Sequence, residues 1–286
     1  MAETENSVPG KEVISGAPGG AGVAGVGAGA AAAGDAGGDA AGVGVVDARA
    51  VGAAIASAQG AGGLTLLWAG PAAAGDYDPG GLAPADAARA GRARTPRAEL
   101  EWRVSRAALR QAGVGTLGDA PRAWSLSHSN GHALVAHGPA GWQVGVDLER
   151  RRVRDVEALA EWCCDEAEQA HLLTLLESER LTFFYQLWTL KEAFIKAAGL
   201  DFPADTRKVG LRQEPDGWSL RTPAGVWAAR SWTVGDDWIA SVVWSVPDSG
   251  LAAAAQGTAA AEPSWHAARN NDLPPLHTLY KARGQA

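Results

Sequence analysis

Gly145-Val146-Asp147-Leu148-Glu149 is the segment with the clearest chemical pattern in this 286-residue chain. Read as a strand, it puts Val144, Val146 and Leu148 on one face and Gly145, Asp147 and Glu149 on the other. The two carboxylates then stand roughly 7 Å apart along the strand, near enough to reach one cation, and Gly145 leaves the neighbouring position open for a ligand. Oxygen donors alone favour a hard ion, Mg²⁺ or Mn²⁺, over Zn²⁺. The same pattern also describes a solvated strand face, neutralised by Arg150, Arg151, Arg152 and Arg154.

A second pattern lies in Phe183 to Gly199, FFYQLWTLKEAFIKAAG. Phe183, Leu187, Leu190, Phe194 and Ala197 fall on one side at helical period, and Trp188, Glu192 and Lys196 form a line on the other, flanked by Phe184 and Ile195. This is either an ordinary Glu-to-Lys surface pair or a helix covered on both sides with a polar slot between. Third, Trp124-Ser125-Leu126-Ser127-His128-Ser129 gathers hydroxyls and an imidazole at a strand end. These groups can donate to phosphate oxygens, or satisfy the turn that follows. Ser127 and His128 are consecutive in a strand and point to opposite faces, which argues against a Ser-His hydrolase pair.

The elements that must hold these groups follow from period and punctuation. Residues 84 to 112 read as helical, with Arg89, Arg92, Arg94, Arg97, Arg103, Arg106 and Arg110 making a basic surface. Trp124 to Ser129, His132 to His137 and Trp142 to Glu149 alternate as strands of an antiparallel meander, with Ser129-Asn130-Gly131 and Gly138-Pro139-Ala140-Gly141 as turns. Helices are expected at 155 to 162, 165 to 176 and 178 to 198. Asp165 with Glu168 opens the second as a capping box, and Gly199 caps the end of the third. Trp-rich strands return over 207 to 246. This order argues an α+β fold, not a parallel doubly wound sheet.

Composition divides the chain. Residues 1 to 63 hold 17 of the 37 glycines and no Phe, Trp or Tyr, so they have little to bury and read as a disordered Ala/Gly-rich leader. Residues 64 to 246 carry the recurring Trp and Leu of a core, opened by the strand-like Leu64 to Trp68. Residues 247 to 286, Ala-rich and broken by Pro263 and Pro274-Pro275, read as a flexible tail. The formal charge of −7 argues against a general nucleic-acid binder. The two cysteines, Cys163 and Cys164, are adjacent, so no disulfide framework or CxxC pair can form within one chain. No basic n-region or apolar span is evident, and a cytoplasmic protein that does not enter a membrane is expected.

Together and in this order, the three segments resemble the signature of the phosphopantetheinyl transferase superfamily. Ser127-His128-Ser129 is similar to its S-H-S motif, Gly145 to Glu149 to its G-[IV]-D-[ILV]-E motif, and Trp188 to Lys196 to its W-[ST]-x-K-E-[AS]-x-x-K motif. The resemblance covers roughly 64 to 246, and its length points to the monomeric Sfp-type enzymes, with two similar pseudo-symmetric α+β halves joined near 138 to 142. It implies transfer of the 4′-phosphopantetheine arm of coenzyme A to a serine of an apo acyl or peptidyl carrier protein, releasing adenosine 3′,5′-bisphosphate. It also implies Mg²⁺ held by Asp147, Glu149 and Glu192. Lys196 would contact the phosphate next to the pantetheine arm, and His128, with Ser127 beside it, the adenosine-side phosphates. Glu168 aligns with a glutamate proposed to deprotonate the attacking serine; helix capping is its other reading. Lys191 would support a neighbouring carboxylate.

Two departures stand out. The family's G-[KR]-P element is replaced by Gly118-Asp119-Ala120-Pro121-Arg122, where Arg122 is the substitute for the basic residue. Arg89 is the best-aligned candidate for the 3′-phosphate, with Arg92 and Arg106 as others. The competing readings are a metal-dependent phosphohydrolase and a degenerate paralogue that binds coenzyme A or carrier proteins without transfer.

Overall fold

The computed structural model describes residues 14–16, 63–116, 122–200, 206–215, 217–223, 225, 227–246 and 262–281. Of the expected leader, only Ile14–Gly16 and Gly63 fall among them; the Gly118–Pro121 part of the departing motif lies outside the described residues.

Alternating apolar residues build a first sheet from Thr65–Ala69 (β2), Ala123–Ser129 (β3) and His132–Gly138 (β4). β3 and β4 are joined at Ser129↔His132 through Asn130 and Gly131, whose φ values of 49° and 75° are the left-handed pair that a two-residue hairpin requires. Ile14–Gly16 (β1) extends this sheet beside β3. The expected helix over 84 to 112 is two helices, Pro84–Ala90 (α1) and Pro96–Ala112 (α2). Pro96 disfavours helical backbone at Thr95, whose side chain instead accepts from the Ala98 N–H at 3.3 Å.

The second sheet runs β11-β8-β9-β5, antiparallel throughout, from Gln143–Arg150 (β5), Ala228–Val234 (β8), Trp238–Ser245 (β9) and Leu276–Lys281 (β11). Between β5 and β8 come helices Val156–Cys163 (α3), Glu166–Thr174 (α4) and Glu177–Ala197 (α5), then a separate hairpin, Gly210–Glu214 (β6) with Gly217–Arg221 (β7). Asp165 and Glu168 form the expected capping box, and Gly199 follows α5 at φ +63°.

Each sheet carries one long helix. α2 covers the first through Val104, Ala107, Ala108 and Leu109 against Leu67, Leu126, Ala133 and Val135. α5 covers the second through Leu187, Leu190, Ala193 and Phe194 against Ala229, Ile239 and Val243. Leu66, Trp68, Leu134, Val146, Leu148, Trp232 and Trp244 fill the space between the sheets. The fold is therefore α+β, as the element order implied, with two sheet-and-helix halves packed sheet to sheet.

The stretch from 262 to 281 is not the loose tail that its composition suggested. Ser264–Ala267 (β10) lies parallel to β2 in the first sheet, and β11 pairs with β8 in the second. Trp265 meets Trp232 edge-on at 5.1 Å, Tyr280 is buried, and Glu262 bridges buried Arg230 at 3.2 Å and Lys281 at 2.8 Å. These aromatic and charged anchors offset the ordering entropy that an Ala-rich approach alone could not.

Candidate active site

The three motifs converge on Asp147. β5 is an edge strand of its sheet, so the outward N–H groups of Val146 and Leu148 need partners from elsewhere. β3 supplies them: Ser125 Oγ accepts from Val146 N and Ser127 Oγ from Leu148 N, both at 3.1 Å. Ser127 Oγ also donates to Asp147 Oδ1 at 2.9 Å, and Ser129 Oγ to Glu149 Oε2 at 3.3 Å. From the other motif, Lys196 Nζ donates to Val146 O at 3.0 Å and to Asp147 Oδ1 at 2.9 Å. Serines at two-residue spacing thus stand in for a neighbouring strand, and the third motif closes the same joint.

α5 reaches this joint because β5 lets it come close. A Cβ on Gly145 would lie 1.9 Å from Ala193 O and 2.5 Å from Ala197 N. Gly145 therefore admits the helix backbone, not the ligand expected from its position. Farther along, Arg151 Nη1 donates to Thr182 Oγ1 at 2.9 Å, and Arg152 N to Tyr185 Oη at 3.3 Å. β5 and α5 run antiparallel between these anchor points, with Lys196 beside Asp147 at one end and Thr182 beside Arg151 at the other. Glu192 is buried, as are Asp147 and Lys196, while Glu149 is half-buried. The helix is covered on both sides with a polar line between, not a surface Glu-Lys pair.

The expected metal set behaves differently. Among the described residues no three His, Cys, Asp or Glu side chains are grouped to hold a metal ion. Asp147 faces a lysine, and its Oδ1 is committed to Lys196 and Ser127. Asp147, Glu149 and Glu192 do not form a cation cage in this arrangement.

Glu168 is a junction and does not stand free as a base. It is 1% exposed. Oε2 accepts from Lys191 Nζ at 2.8 Å and Asp165 N at 3.1 Å, and Oε1 from Leu211 N at 3.0 Å, with Arg221 Nη2 at 3.3 Å. Lys191 continues to Thr206 O at 2.9 Å and to Val209 O. Of its two readings, the capping one is realised and enlarged into a buried ion pair that hangs the β6–β7 hairpin on α4 and α5. Lys191 thus supports a neighbouring carboxylate, that of Glu168.

His128 turns the other way, toward α2, as alternation along β3 requires. Its Nδ1 lies 3.7 Å from Glu101 Oε2, and Arg97 Nε lies 3.2 Å from Glu101 Oε1. The imidazole, then the arginine, hold the Glu101 carboxyl down at about 2. Glu101 went unnoticed in the sequence; its signal was a carboxylate on the same helical stripe as Val104 and Ala108.

Arg89 lies 3.7 Å from Asp86. Arg106, assigned to a basic surface, is buried, 2.7 Å from Asp86 and stacked on Trp102 at 4.1 Å; Arg94 covers the same ring at 4.0 Å. Burial pulls the Arg106 guanidinium below its ordinary range, against the opposing effect of Asp86. Arg122 is exposed, 3.5 Å from His137, at the far end of β3 from His128, roughly 20 Å away at the rise of a strand. The structure does not bring it to Asp147. A cavity of about 440 Å³ lined by Gly75, Asp76, Tyr77, Arg110, Gln111 and Arg269 contains none of the motif residues.

Set beside known proteins, residues 143–243 match the model of the 4′-phosphopantetheinyl transferase superfamily. The match takes in the second and third motifs; Ser127-His128-Ser129 precedes it. The chain is 30% identical over 119 residues to the 4′-phosphopantetheinyl transferase Sfp of Bacillus subtilis (strain 168), 41% of this chain and 52% of that protein. It is 31% identical over 120 residues to the 4′-phosphopantetheinyl transferase HetI of Nostoc sp. (strain PCC 7120 / SAG 25.82 / UTEX 2576), 42% of this chain and 50% of that one. The chain thus spans about half the length of the curated relatives it matches. The resemblance read from the motifs is borne out. Among the described residues no helix is long and apolar enough to cross a membrane.

Proposed function

We propose that this protein transfers the 4′-phosphopantetheine arm of coenzyme A to a serine of an apo carrier protein, leaving adenosine 3′,5′-bisphosphate. The observation that carries the reading is the meeting of all three motifs at one carboxylate, with Ser127 and Lys196 both on Asp147 Oδ1. Names of the relatives support the same transfer.

In this reading Lys196 is the cation nearest the reacting phosphate, and its hydrogen bonds to Val146 O and Asp147 Oδ1 hold it in orientation. Ser127 fixes the Asp147 carboxylate, so its role is to position that group; the expected ligand contact passes to His128. Asp147, Glu149 and Glu192 are the proposed Mg²⁺ ligands. Support comes from their chemistry, hard oxygen donors of which Asp147 and Glu149 alternate onto one face of β5. A bound ion would neutralise charge on the phosphates. Glu168, fully engaged by its four neighbours, is left out of the proton transfer. The protein is proposed to act as a cytoplasmic monomer.

The test is intact-mass analysis of an apo acyl or peptidyl carrier protein after incubation with this protein, coenzyme A and Mg²⁺, beside an EDTA control. A gain of one phosphopantetheine unit, abolished by EDTA, is expected. Coenzyme A bound with no mass gain across carrier classes would leave a binder without transfer; coenzyme A cleaved with no modified carrier would make it a phosphohydrolase.

A further inference from the structure

The chain places a second charged pair on the opposite side of β3 from Asp147. Thr95 and Pro96 start α2 so that Leu100, Val104, Ala107 and Ala108 rest on the first sheet. Glu101 shares the stripe of Val104 and Ala108 and therefore lies over the end of β3, where its carboxylate meets His128 Nδ1 at 3.7 Å. Both are largely shielded, with side-chain exposures of 16% for Glu101 and 22% for His128. Nδ1 itself is buried without a hydrogen-bond partner, so the Glu101 carboxylate acts on it as a facing charge at ion-pair distance, and the partly exposed remainder of the ring is left for a ligand. Arg97, one turn before Glu101, grips the carboxylate at 3.2 Å and reaches Asn130 Oδ1 at 2.9 Å, tying the helix to the turn that ends β3.

We propose that Glu101 is a positioning residue for His128, holding Nδ1 so that Nε2 faces an anionic phosphate of the bound nucleotide. This rests on the transferase reading above. A carboxylate behind an imidazole fixes which nitrogen carries the inward proton and which way the ring points. Glu101 does not touch the phosphate; it acts through His128, and Arg97 fixes Glu101 in turn.

The experiment combines kinetics on coenzyme A with nitrogen NMR of the histidine rings in the full chain. Glu101→Gln is expected to raise the KM for coenzyme A about tenfold with little change in kcat, the factor corresponding to one charge-assisted contact. Glu101→Asp, which keeps the charge, is expected to retain most of the affinity. In a His128→Ala background, Glu101→Gln is expected to add nothing further, an outcome that a merely structural role would not give. The His128 ring signals, assigned by their loss in His128→Ala, are expected to shift in Glu101→Gln. Unshifted ring signals, or full additivity of the two substitutions, overturn the positioning role. A wild-type protein that modifies no carrier while Glu101→Gln still shifts the ring overturns the transferase reading and leaves the pairing standing.

Discussion

Lys196 Nζ lies 2.9 Å from Asp147 Oδ1, and both side chains are closed to solvent. Such a pair adds little net stability when whole but is costly to break, because the surviving charge stays buried. Lys196→Met is therefore expected to lower the unfolding free energy by about 3–5 kcal/mol, and adding Asp147→Asn to recover a good part of it. Urea titrations at neutral pH check this; a single variant as stable as wild type would mean that the pair is not buried.

Glu168→Gln and Lys191→Met are each expected to cost several kcal/mol, while the double variant costs much less than their sum, since both act on one buried contact. Thermal melts of the set provide the measurement. If Glu168 were the proton acceptor instead, Glu168→Gln would silence transfer at unchanged melting temperature.

Gly145→Ala is expected to prevent stable folding, because the new methyl group would stand 1.9 Å from the Ala193 carbonyl of α5. Backbone cannot yield as a flexible side chain does. A soluble, normally melting variant that had lost only coenzyme A affinity would return Gly145 to the role of ligand space.

Below neutrality the Glu101 carboxyl has a defined signature. Its folded value of about 2 lies under the ordinary 4.5, so its ionised form contributes stability that is fully present above pH 4.5 and fades as pH falls toward 2. The stability gap between wild type and Glu101→Gln should close as pH falls from about 4.5 to 2, as followed by denaturant midpoints.

Truncation after residue 246 is expected to lower the melting temperature by well over about 10 °C, since it deletes a strand from each sheet. Scanning calorimetry decides it, and an unchanged melt would restore the loose tail.

Much of this was readable from residue order because the signals were local. Asn130-Gly131, Asp165 with Glu168, and Gly199 each fix a turn or a cap within a few positions, and all three stand where the pattern put them. The two faces of β5 also followed from alternation alone. What could not be read was which partner each group meets across the fold. Asp147 and Glu149 look alike in sequence, yet one is buried against Lys196 and the other half-open. Ser264–Ala267 is four residues long and finds β2 some two hundred positions away, a pairing that no local preference encodes. Gly145 showed the need for space but not what fills it.

The return of 264–281 to both sheets sets an order of events during synthesis. β2 emerges early but receives its parallel neighbour β10 only after the whole second sheet's helices and hairpins have been made, and β8 must likewise await β11. The first sheet cannot complete its hydrogen-bonded edge without β10, which is made after the second half's helices, so the first half cannot be expressed as a separate folding unit by cutting near 138 to 142. Distant pairings of this kind close loops late and slowly. A chain ending at residue 246 would present two open strand edges, those of β2 and β8, to its surroundings.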